Sequence, residues 1–176
     1  HIETETGVTF DANAFRYGNL KPDLTGTYLT KRHYPSIMFE EVKDKIRTFC
    51  QNYTLGDVNG RELSVDLGEI CHYLTDFFCY PHGLFLHYVY EKRVALCLRR
   101  SLTEAHFEGW VEDISAPFHA EALIARIEKL HAKYKALPHH SMVSDMEFIC
   151  QVTTLCVKGI INISYVGSEE KTGITA

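Results

Sequence analysis

The sequence lacks most of the features that announce a function. No C-x-x-C pair occurs among its six cysteines, Cys50, Cys71, Cys79, Cys97, Cys150 and Cys156. Most lie in apolar runs such as Phe77-Phe78-Cys79-Tyr80, so reduced, buried thiols are expected rather than a disulfide framework. No G-x-S-x-G, Gly-rich phosphate loop or H-E-x-x-H occurs. There is no basic excess: Lys plus Arg is 18, Asp plus Glu is 23, and the net charge is −5. That balance excludes a dedicated nucleic-acid binder. No run approaches the roughly 18 consecutive apolar residues of a membrane-spanning helix, so no span is expected. No signal-peptide pattern is present, and the chain starts at His1 without Met, as expected of a trimmed fragment that has lost an upstream segment. The sequons at Asn52-Tyr53-Thr54 and Asn162-Ile163-Ser164 read as chance, which leaves a cytosolic setting as the expectation.

What is present is core material. The 176 residues suit one domain, with 45% hydrophobic and 23% charged residues. Ten Tyr, ten Phe and one Trp supply bulk. A globular chain of this size buries about 70% of its unfolded surface, so no disulfide or metal is required for stability.

Residues 1–35 are punctuated by Gly7, Gly18, Pro22, Gly26 and Pro35 and read as an extended N-terminal arm. Phe10, Phe15, Tyr17, Leu20, Leu24 and Tyr28 give the arm docking residues. The globular domain is expected over 36–166, followed by a polar tail over 167–176. Phe39, Val42, Ile46 and Phe49 recur at helical spacing, with Ser36 as the expected cap. A second helix is expected from Ser64, burying Leu67, Ile70, Cys71, Leu74 and Phe78 before Pro81-His82-Gly83. Runs 84–90 and 93–99 read as a hairpin, and 107–114 as a third strand anchored by Trp110. A helix over 116–136 carries the stripe Leu123, Ile124, Ile127, Leu130, Tyr134 and Leu137. Residues 147–166, rich in Val, Ile and Thr, read as two strands turning at Lys158-Gly159. The expected class is therefore α+β: a small antiparallel sheet packed with two or three helices.

Three constellations bear on chemistry. Pro22-Asp23 followed by Glu41-Val42-Lys43 spells the PD…ExK string of metal-dependent nucleases, in which two acids hold a divalent ion and a Lys orients water. Glu41 and Lys43 lie two positions apart on a helical segment and so face different ways, which favours an ordinary loop acid and solvated charges. Cys71, His72, Cys79, His82 and His87 are zinc-ligand types, but their spacing matches no closed four-ligand pattern and Cys71 sits on an apolar face. Arg99, Arg100, Arg126, Lys129, Lys133 and Lys135 offer a basic contact surface for phosphates or anionic headgroups, diluted by Glu104, Glu121 and Glu128. These readings leave no catalytic residue, cofactor or metal assigned.

The order of Asn59-Gly60 before a helix, the apolar pair over 84–99, His106-Phe107-Glu108-Gly109-Trp110, and 145–149 running into 157–163 resembles the globular domain of rhabdovirus matrix proteins. The Pro-Pro-x-Tyr motif of animal members is absent, which would fit a plant-infecting member. The resemblance implies a non-enzymatic viral structural protein that links nucleocapsid to membrane during virion assembly. It implies self-association through an arm, here carried onto Phe10, Phe15 and Tyr17, and no small-molecule substrate. Its partners would be itself, the viral nucleocapsid and an anionic membrane surface, in the virion and host cytoplasm. The competing expectations are the PD…ExK nuclease and a cytosolic protein-interaction adaptor.

Overall fold

The computed structural model describes residues 8–24, 34–52, 60–79 and 119–172, with side chains as far as Ser164. The described residues form α1 (Ala12–Leu24), α2 (Pro35–Asn52), α3 (Arg61–Phe77), α4 (Ala120–Lys135) and α5 (Met142–Thr172), with no strand among them. The α+β expectation is therefore corrected to an all-helical arrangement over the described residues. The hairpin over 84–99 and the strand over 107–114 fall outside the described residues.

Helix α3 lies at the centre and packs against α1, α2 and α5, while α4 packs against α2 and α5. Its sequence explains the position. Leu63, Leu67, Ile70, Cys71, Tyr73, Leu74 and Phe77 are all buried, which is far more than one stripe. Helix α2 is amphipathic and buries only Met38, Val42, Ile46 and Phe49. It begins two residues earlier than a Ser36 cap implies, with Pro35 in the first turn and the Tyr34 carbonyl accepting from the Ile37 and Met38 N–H groups. On its outer side, Lys43 pairs with Glu128 and Arg47 Nε lies 2.6 Å from Glu121 Oε1, linking α2 to α4.

The expected extended arm is helical over its central part. Asp11 caps α1, its Oδ1 accepting from the N–H groups of Asn13 and Ala14 at 3.0 and 2.9 Å. The Asp11 N–H in turn donates to Ser64 Oγ at 3.1 Å, fastening the start of α1 to the start of α3. Gly18, taken as loop punctuation, instead lies within α1 directly on the α3 backbone.

The expected strands over 147–166 are part of α5. The run is apolar enough that β propensity and helical burial both suit it, so periodicity alone misleads. Burial of Ile149, Val152, Cys156, Val157, Ile160 and Ile161 against the bundle favours the helix. Two of its hydroxyls are satisfied within it: Thr153 Oγ1 donates to the Ile149 carbonyl at 2.7 Å, and Ser164 Oγ to that of Ile160 at 3.0 Å. Gly159 makes no turn; it leaves room for Leu123 of α4. Met142–Ser164 is long and apolar enough to cross a membrane by length and composition, contrary to the sequence expectation, and half of that stretch is buried in the bundle.

Candidate metal centre

On α3, His72 and Asp76 are four residues apart and so share a face. His72 Nε2 lies 3.3 Å from Asp76 Oδ2 and 3.7 Å from Asp23 Oδ1, which arrives from the last turn of α1. Exposure rises across the group. The side chains of Asp76 and His72 are 6% and 11% exposed, whereas Asp23 is 46% exposed and forms the open edge. The cluster is thus rooted in the core and reachable from solvent.

Its electrostatics favour positive charge. Burial opposes an imidazolium at His72, but Asp76, Asp23 and the backbone of Asn19, which accepts a hydrogen bond from the ring, together hold it above its ordinary range. The neighbouring Tyr73 hydroxyl is pushed up to about 12, first by burial and then by Glu69, Glu41, Asp76 and Asp23. That phenol therefore stays protonated, in a negative field. Glu69 is half-buried one turn earlier on α3 and is neutralised differently. Lys21 of α1 and Lys45 of α2 reach its two oxygens at 2.8 and 2.9 Å. The two cations outweigh the burial that would raise its carboxyl and hold it below the usual range.

Several sequence-based candidates lie elsewhere. Cys71 points into the core, where burial raises its thiol to about 12, so it is neither a thiolate ligand nor a nucleophile. Cys79 is also buried, and His82 and His87 lie outside the described residues. Asp23 does not join Lys43, which reaches Glu40 at 2.8 Å and also Glu128, so the PD…ExK string does not assemble as a triad. Phe10 and Phe15 pack against the core of their own chain, while Tyr17 is exposed. Lys129, Lys133 and Lys135 lie exposed on α4, Arg126 is half-buried there, and Arg99 and Arg100 lie outside the described residues. The sequence reading missed Asp76, although His72-x-x-x-Asp76 within a helical pattern is the signal that could have found it.

A family model described as zinc dependent phospholipase C matches residues 3–141, more than three quarters of the chain. The chain belongs to the zinc-dependent phospholipase C family. No curated protein and no solved structure matches it. The match spans α1 to α4 and so includes the whole His72 cluster. It overturns the rhabdovirus resemblance and the non-enzymatic virion-assembly role drawn from it. It also removes the nucleocapsid partner, because the family is one of enzymes whose substrate is a lipid.

The donor chemistry fits the family's metal. Zinc takes imidazole nitrogen and carboxylate oxygen, commonly four donors in all. His72, Asp76 and Asp23 are of these types and meet on one side of the α1–α3 pair. The hydrogen bond from the His72 ring to the Asn19 backbone orients the imidazole, as metal-binding histidines generally require. Among the described residues no group of three His, Cys, Asp or Glu side chains, this one included, is arranged to hold a metal ion by itself. The His72 cluster is therefore an incomplete donor set, which further ligands would have to close.

Proposed function

We propose that this chain is a zinc-dependent phospholipase C whose metal is held in part by His72, Asp76 and Asp23. The observation that carries the reading is the approach of both carboxylates to the same His72 nitrogen, within the region that matches the family. The class of reaction is hydrolysis of the phosphodiester that joins a phospholipid headgroup to its diacylglycerol. Bound zinc supplies Lewis acidity toward the phosphoryl group and acidification of the attacking water. The residues do the rest. Asn19 fixes the His72 ring, Asp76 anchors the inner side of the cluster, and Asp23 supplies negative charge at its solvent edge.

The test combines metal analysis with turnover. The purified protein is expected to carry zinc and to release diacylglycerol from phospholipid vesicles. A chelator should abolish release and zinc should restore it. His72→Ala is expected to lose at least about 100-fold in activity, since even supporting residues of metal sites typically cost 10- to 100-fold. Hydrolysis that survives both chelation and His72→Ala would overturn the assignment.

A further inference from the structure

We infer that Gly18 and Gly68 are positioning residues for the metal site, their missing side chains setting the distance at which α1 delivers Asp23 and Asn19 to His72. The inference rests on the zinc reading above and concerns how the chain builds that site.

The crossing of α1 and α3 is a contact of backbone on backbone. A Cβ at Gly18 would stand 2.1 Å from the Val65 carbonyl oxygen and 2.9 Å from the carbonyl carbon. A Cβ at Gly68 would stand 2.3 Å from the Phe15 carbonyl oxygen and 3.0 Å from the Asn19 nitrogen. The two glycines are reciprocal, each leaving room for the other helix. The obstructing atoms are main chain, so no rotamer change relieves the clash. A methyl group at either position has to push the helices apart by about 1 Å to reach ordinary contact distance.

The crossing lies close to the ligands. Gly18 precedes Asp23 by five residues, and Gly68 precedes His72 by four. At 1.5 Å per residue both intervals are about 6–8 Å, little more than one turn, and in α1 that turn contains Pro22, which cannot donate to the Gly18 carbonyl. A displacement at the crossing therefore acts directly on Asn19, the next residue, and passes through the Pro22 turn to Asp23. Metal–ligand distances tolerate only about 0.2 Å. The same displacement lengthens the hydrogen bond from His72 to Asn19, so one added methyl disturbs both a donor and the group that orients another.

Gly159 supplies the control. A Cβ there would stand 2.7 Å from Leu123 Cδ1, also a tight helix contact, but between α5 and α4 and against a movable side chain. Zinc affinity is measured by competition with a chromogenic chelator, and ligand geometry by the visible spectrum of the cobalt-substituted protein. Gly18→Ala and Gly68→Ala are expected to weaken zinc binding by tenfold or more and to change the cobalt spectrum. Gly159→Ala should leave both unchanged, whatever its effect on melting. Equal zinc affinity in all three variants, with the unsubstituted protein binding zinc, overturns the positioning role alone. No zinc binding by the unsubstituted protein overturns the functional reading itself. If both α1–α3 variants fail to fold, hydrogen exchange on the unsubstituted protein decides. Zinc should slow exchange in α1 and α3 together, and slowing confined to α3 overturns the inference.

Discussion

Tyr134 donates its hydroxyl hydrogen to Asp145 Oδ1 at 2.7 Å, and the acid is wholly buried at the start of α5. Removing that donor while keeping the ring leaves a desolvated carboxylate short of one hydrogen bond. Tyr134→Phe is expected to cost about 1–3 kcal/mol, measured by urea unfolding. His131 makes the opposite electrostatic case. Burial and the Lys135 charge hold its imidazole below the ordinary range, against a backbone contact from Phe77. The ring stacks on Phe39, with centroids 5.3 Å apart, and meets Phe78 edge-on. Because the folded value is lowered, the unfolded chain binds the proton more readily. Its stabilising contribution is therefore complete above the unfolded value of about 6.5 and is lost as pH falls through and below it. Melting temperature recorded from pH 7.5 to 5 should fall less in His131→Phe than in the unsubstituted protein.

At the scale of elements, α1 is held to α3 by three devices of different kinds. The Asp11–Ser64 hydrogen bond fixes its start, the Gly18–Gly68 crossing its middle, and the Lys21–Glu69 ion pair its last turn. Glu69→Gln removes the charge that binds both α1 and α2. It is expected to cost about 1 kcal/mol, since the two lysines are partly exposed and solvent screens them. Because the folded carboxyl of Glu69 is lowered, its contribution exists above about pH 4.3 and disappears as pH falls through the folded value. The difference between variant and unsubstituted protein should therefore vanish in acid. The α2–α4 link is weaker. Arg47 bridges Asp44 and Glu121 on an open surface, and a double-mutant cycle on Arg47 and Glu121 should return only a small coupling that shrinks in salt.

For the whole molecule, a metal that binds only the folded chain adds stability in proportion to the logarithm of its concentration over Kd. At 100 times Kd the gain is about 2.7 kcal/mol, which for a chain of this size is about 5–10 °C in Tm. Calorimetry with and without chelator should show that shift, and His72→Ala should abolish it. The sequence alone determined the helices α2, α3 and α4, because Phe39, Val42, Ile46 and Phe49 or Leu123, Ile124, Ile127 and Tyr134 recur at the helical period. It also determined that Cys71, Cys79, Cys150 and Cys156 are buried thiols, since their neighbours are apolar. It did not determine α5, whose β-branched run suits a strand as well as a buried helix until Leu123 and its neighbours cover it. Nor did it determine the site. Asp23 and His72 are distant in sequence and meet where α1 lies directly on α3, backbone against backbone at Gly18 and Gly68. Local patterns follow from side-chain period, which a sequence displays directly. A metal site follows from the distance between helices, which depends on every atom at their crossing and exists only in the folded chain.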